Sequence, residues 1–262
     1  MASDKMLSRV SGAIGWMTFN NRARHNAVSL DMWAAAEVIL RDFAADDAVR
    51  VVVLSGAGGK SFVSGADISK FEEERSNADA VAQYNKVTAG VFNQLATLHK
   101  PTIAMIGGYC LGGGLGVAVA CDLRICSDTS QFGLPAARLG LGYSFDGLRR
   151  LVAAVGEAFA KEIVFTAERF DASRAAAMGL VNQVVPSTQL EAAVTAIAET
   201  IAANAPLTVT AMKRTIGEIA KDPDHRDIEM CREVAQACFD SEDYIEGRRA
   251  FMEKRKPVFV GR

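Results

Sequence analysis

The residues best suited to chemistry lie in the run Lys100–Asp122, KPTIAMIGGYCLGGGLGVAVACD. Pro101 opens a short apolar segment, Thr102–Ile106, whose length and branched side chains suit a buried strand. Gly107, Gly108, Gly112, Gly113 and Gly114 follow, then a run of small residues to Cys121. The pattern predicts strand, glycine-rich turn, helix. A helix start presents unpaired N–H groups and a positive dipole end, and glycine lets a ligand come close to that backbone. The stretch could therefore hold a phosphate, a carboxylate or a developing oxyanion. Tight helix–strand packing explains the same glycines equally well. A membrane span is disfavoured because glycine turns interrupt a run near the lower length limit. A nucleotide loop is disfavoured because no GKS or GKT follows and the spacing is not GxGxxG.

Length bounds what must position these groups. The chain has 262 residues, half of them hydrophobic and 23% charged, enough for one large domain with a sizeable core. A net charge of −2 gives no electrostatic case for nucleic acid. Cys110, Cys121, Cys126, Cys231 and Cys238 are odd in number and form no CxxC pair, which reads as reduced thiols in a cytoplasmic protein. The first thirty residues show no apolar segment of the secretory kind. His25, His99 and His225 lie far apart in sequence, which argues against a zinc site. No metal and no membrane partner are expected.

Along the chain, Val10–Asn20 reads as a strand or hairpin and Asn21–Ala27 as a polar loop. Ser29 can cap a helix over Leu30–Ala44. Arg50–Leu54 is a short strand, Ser55–Lys60 a turn, and Ser61–Val63 extended. Residues 72–79 read as a polar loop, 80–98 as a helix, and Asp122–Ser127 as a strand. Ser130–Gly147 is irregular, and a loop of that length in a compact chain is often functional. After Leu148 the signals are helical apart from a strand near Val181–Val185, and Pro206 can start a helix. No internal sequence repeat is visible. The expected class is α/β, with an α/β core over 1–205 and a helical C-terminal region over 206–262.

Two segments taken together are more specific. SFVSGADI (61–68) and IGGYCLGGGLGVAVACD (106–122) resemble the paired signatures of the crotonase, or enoyl-CoA hydratase/isomerase, superfamily. NRARHNAVS (21–29) and FTAERFDASRAAAMGLVNQVVP (165–186) fit as well, so the resemblance spans essentially the whole chain. It implies a core of repeated β–β–α units with a helical C-terminal part, assembled as trimers or dimers of trimers. It implies an acyl-CoA thioester as substrate, with coenzyme A entering as part of that substrate and no separate cofactor. The backbone N–H groups of Ala66 and Gly113 would hold the thioester oxygen as an enolate forms. Ala27, Ser64, Leu111, Gly112 and Pro135 fall on the motifs that line the site. Asp67 and Ile68 resemble positions beside the CoA, and Arg24 could meet a phosphate or be a solvated surface arginine. Phe251 and Lys254 match positions that reach CoA from a neighbouring helix or subunit, although a solvated helix face reads the same way.

The chain departs from the pattern at two positions. Hydratases of the family carry glutamates where this chain has Gly116 and Ala136, and neither of these can transfer a proton. The loop LGLGYSFDG (139–147) and the C-terminal run SEDY…EG…AF resemble the methylmalonyl-CoA decarboxylases, with Tyr143 on the loop. A decarboxylase-like lyase and an isomerase that uses Asp146 are the expected reactions. The alternatives are a hydratase with substitute residues and a non-catalytic CoA-binding scaffold. Asp146 could equally cap the helix that follows it, and Tyr143 could be packing.

Overall fold

A computed structural model describes residues 4–70 and 76–262. A six-stranded sheet carries the core, in the order β1 (Met6–Ser11), β2 (Ile14–Phe19), β3 (Val51–Gly56), β5 (Thr102–Ile106), β7 (Leu123–Ser127), β10 (Gln183–Val185). β1 and β2 form a hairpin that starts at Met6, four residues before the strand or hairpin expected over Val10–Asn20, and all later neighbours pair parallel. A second sheet holds β4 (Ser61–Val63), β6 (Tyr109–Leu111), β8 (Gln131–Gly133) and β9 (Phe170–Asp171).

The two sheets are built by one repeated unit. β3–β4, β5–β6 and β7–β8 each give one strand to the large sheet and one to the small sheet, then lead into a helix. Those helices are α2 (Ala78–Thr97), α3 (Gly113–Ala120) and α4 (Phe145–Thr166). This is the β–β–α core expected from the motifs. Because β4, β6 and β8 run parallel, their C-terminal ends meet at one edge. The residues just beyond that edge are Ser64–Asp67, Gly112–Gly113 and Pro135–Ala136, so the fold brings three distant motifs together.

Alternation along the strands separates two cores. Val52, Leu54, Ala104 and Ile106 face α1 (Leu30–Ala45), α2, α3 and α4, together with Phe19, Trp33 and Phe62. Val51, Val53, Ile103 and Ile125 face α6 (Leu190–Ala202), through Leu190, Val194 and Ala198. Trp33, Phe19 and Phe62 are fully buried, and burying one such ring stabilises by about 1.5–3 kcal/mol.

Several expectations shift. Residues 72–75 of the expected 72–79 loop lie outside the described residues, and Ala78 and Asp79 belong to α2, because Asn77 accepts from the Ala80 N–H and starts the helix there. Ser29 sits at the N-cap of α1, but its hydroxyl bonds to Asp31 instead of accepting from the backbone. Ser130–Gly147 is not wholly irregular, since it contains β8 and a 3-10 turn over Pro135–Leu139 and runs into α4. After α5 (Ala172–Ala177), the C-terminal region is α7 (Pro206–Ile219), α8 (Ile228–Phe239) and α9 (Glu242–Glu253). Pro206 stands at the start of α7, as expected.

The helical region is fastened to the core. Lys213 on α7 donates to Asp122 at 2.6 Å, and Asp122 also accepts from the Thr102 N–H and hydroxyl. Arg50 donates to the carbonyls of Ala202 and Phe259, so the final segment of the chain returns to the start of β3. Asp243 is buried and accepts from the N–H groups of Val260 and Gly261.

Candidate active site

The backbone of two loops makes the centre of the site. Val28 pairs with Ala66 as a parallel bridge, in which the Val28 N–H donates to Gly65 and the Asp67 N–H donates to Val28. Alternate peptide groups along an extended chain point to opposite sides, so the Ala66 N–H points away from Val28. Among the described residues it donates to no protein acceptor. Gly113 is the first residue of α3, and its N–H is likewise left free by helix geometry. The loops touch, because a Cβ placed on Gly65 would lie 4.0 Å from the Gly113 nitrogen.

Two glycines fix this arrangement. Gly112 has φ +53°, which turns the chain from β6 into α3, and its N–H donates to Gly133 on β8. Gly114 lies against β4 so closely that a Cβ there would be 2.1 Å from the Val63 carbonyl oxygen. The helix start and the Ser64–Ala66 loop are therefore held as one unit by backbone contact.

A wall of rings stands over this backbone. A Cβ at Gly113 would be 3.9 Å from Cζ2 of Trp33, and one at Gly116 would be 3.2 Å from Cζ of Phe92 and 3.3 Å from the Tyr143 hydroxyl. Trp33 and Phe92 meet edge to face at 5.4 Å, and the Trp33 Nε1–H donates to the Tyr84 hydroxyl at 3.3 Å. Burial, and then the nearby Cys110 thiol, push the Tyr143 phenol up to about 12, so it is protonated at neutral pH. Ala136 packs against the same core, and nothing at Gly116 or Ala136 supplies a carboxylate.

The structure brings Ala27, Ser64, Ala66, Leu111, Gly112, Gly113, Gly116, Pro135, Ala136 and Tyr143 to this edge of the small sheet or its flanking loops. The Ser64 hydroxyl donates to the Arg24 carbonyl, while the Arg24 side chain is exposed. Asp67 is buried, and its carboxylate accepts from the Ser69 N–H and hydroxyl, so it caps the turn over Ile68–Lys70. Ile68 is exposed. Asp146 does not cap α4, because the Ser144 hydroxyl accepts from the Gly147 N–H. Asp146 lies exposed in the first turn, 3.8 Å from Arg149. Phe251 is exposed at the end of α9, and Lys254 forms the left-handed residue that ends that helix. Trp33, Tyr84 and Phe92 were not expected at the site. Their helical spacing marks them only as apolar faces of α1 and α2, and no local signal says which ring reaches Gly116.

The enoyl-CoA hydratase/isomerase family model matches residues 9–262. The chain belongs to the enoyl-CoA hydratase/isomerase family. It is 35% identical over 256 residues to the short-chain-enoyl-CoA hydratase of Clostridium acetobutylicum, covering 98% of this chain and 97% of that one. It is 36% identical over 234 residues to a carnitinyl-CoA dehydratase of Proteus mirabilis, covering 86% and 87%. The crystal structure of an enoyl-CoA hydratase/carnithine racemase from Magnetospirillum magneticum superposes with a TM-score of 0.95 at 35% identity, covering 100% of this chain and 97% of that one. Membership of the enoyl-CoA hydratase/isomerase family implies an acyl-CoA thioester as substrate. The named relatives favour hydratase chemistry over the expected decarboxylase-like or isomerase reaction. None of these matches carries the decarboxylase resemblance.

Proposed function

We propose that the protein is a hydratase-type acyl-CoA enzyme that holds a thioester enolate between the Ala66 and Gly113 N–H groups and uses Tyr143 where relatives use carboxylates. The observation that carries this reading is the Tyr143 hydroxyl, 3.3 Å from the Cβ position at Gly116, one helical turn from the Gly113 N–H. In the forward direction water adds through oxygen to the β-carbon of an enoyl thioester. Negative charge passes to the thioester oxygen, where two preorganised N–H donors stabilise it. The phenol gives its proton to the α-carbon and recovers one from the attacking water, so it ends unchanged. Dehydration is the same path reversed.

A second reading is favoured by the two missing carboxylates. Loss of carbon dioxide from a carboxyacyl thioester makes the enolate without a base, and positions 116 and 136 carry no carboxylate to repel the substrate. Tyr143 would then orient the leaving carboxylate. Crotonyl-CoA and methylmalonyl-CoA, assayed side by side with purified protein, separate the two. Hydration of the first supports the hydratase reading, and carbon dioxide release from the second alone supports the other. CoA binding without turnover of either would favour a scaffold.

Homo-oligomerisation belongs to the same proposal. Met212, Ile216 and Ile219 on α7 and Phe251 and Met252 on α9 are exposed apolar residues on the helical region. A trimer or dimer of trimers by light scattering is the expected result, and a monomer at micromolar concentration would refute it.

A further inference from the structure

We infer that Phe92 sets the length of the acyl group, closing the pocket one helical turn from the oxyanion donors and restricting the enzyme to short acyl thioesters. The inference rests on the proposed placement of the thioester oxygen at Ala66 and Gly113. From that point an acyl chain runs along the face of α3 that Gly113 and Gly116 share. Positions three residues apart on a helix are separated by about 5–6 Å, so only a few carbons fit before Gly116 is reached. There the chain meets the Phe92 ring, 3.2 Å from the Cβ position.

The ring is backed by fixed neighbours. Val91 and Leu95, on either side of it along α2, are fully buried. Trp33 supports it edge to face and is itself 1% exposed and tied to Tyr84. Retreat of the ring would require α2 or Trp33 to move, and cores resist that. Phe92 itself is only half-buried, and its ring end is what a Cβ at Gly116 would meet. Gly116 completes the device, because any larger residue there would compete with the ring for the same volume.

Calorimetric titration with saturated acetyl-, butyryl- and octanoyl-CoA tests this without requiring turnover. The native protein is expected to bind butyryl-CoA more tightly than octanoyl-CoA by about tenfold or more, the scale on which apolar pockets discriminate chain length. Phe92→Ala should shift the octanoyl-to-butyryl ratio toward the longer chain by about tenfold, with Phe92→Leu intermediate. Affinity for free CoA should not change. Equal binding of all lengths by the native protein, or an unchanged ratio in both folded variants, would overturn the role of Phe92 while leaving the proposed function standing. A variant that loses thermal stability but keeps the native ratio shows Phe92 to be packing only, and also overturns it. Failure of the native protein to bind any CoA thioester removes the proposed function and this inference with it.

Discussion

The Tyr143 hydroxyl and the backbone of Gly116 are near neighbours: a Cβ added to that glycine would stand 3.3 Å from the phenol oxygen. A side chain leaving Gly116 would meet the phenol and the Phe92 ring at its first carbon.

Tyr143→Phe removes the hydroxyl that stands over Gly116, the proposed proton donor. Turnover of the true substrate should fall about a hundredfold or more, the usual scale for a lost general acid. Circular dichroism should stay native, because the ring is kept. Full activity would show that the proton comes from elsewhere.

The same phenol makes a prediction about alkaline stability. Its folded value of about 12 lies above the ordinary value of 10, so the folded protein keeps a proton that the unfolded chain releases. The native state binds more protons in that window, and stability therefore falls as pH rises from 10 to 12. Cys121 and Cys126, each raised by burial from 9 to about 12, extend the fall down to pH 9. Urea midpoints measured at steps of pH should show the decline, and Tyr143→Phe should make it shallower above pH 10.

Gly113→Pro deletes a proposed oxyanion donor at a position suited to proline, and a native circular dichroism spectrum is the first check. Proline is well tolerated at the first helical position, and a Cβ there has only ordinary contacts, the nearest at 3.9 Å. Loss of one such donor costs on the order of a hundred- to a thousandfold in turnover. Near-normal turnover in the folded variant would remove Gly113 from the mechanism.

Gly114→Ala and Gly116→Ala should separate sharply. The first forces a methyl to within 2.1 Å of the Val63 carbonyl and should destabilise by roughly 1–3 kcal/mol or more. The second meets side-chain ends at 3.2 and 3.3 Å, which need give by only a few tenths of an ångström, far less than the first demands of the backbone. Denaturant titration of both reads the difference, and equal midpoints would contradict the close packing of α3 on β4.

Restoring carboxylates should depend on Phe92. Gly116→Glu with Ala136→Glu should hydrate crotonyl-CoA no faster than the native protein while the ring keeps its place. Adding Phe92→Ala makes room for the glutamate, and hydration should then rise. A rise in the double variant would mean that Phe92 moves freely.

The sequence made the long elements plain. Branched runs such as Val51–Leu54 and Thr102–Ile106 mark the large sheet, and the spacing of Met32, Trp33, Ala36 and Leu40 marks α1. The small sheet was not legible, because strands of two or three residues carry no period. Without it, the β–β–α repeat came only from the resemblance of motifs. The empty positions at 116 and 136 could be read directly. What stands over Gly116 could not, since Phe92, Gly116 and Tyr143 lie on α2, α3 and a loop that only tertiary packing brings together. Ser144, two residues before Asp146, was the cap because a serine hydroxyl at that offset reaches the free N–H of Gly147.

The contact between Gly114 and Val63 has an evolutionary consequence. Both proposed donors are main-chain groups, held in place by a glycine too crowded to change. Ordinary side-chain replacement can therefore recast the acid–base lining of this cleft without disturbing the two proposed donors. On that proposal a lineage can lose one reaction and acquire another while the main-chain half of the machinery is inherited intact.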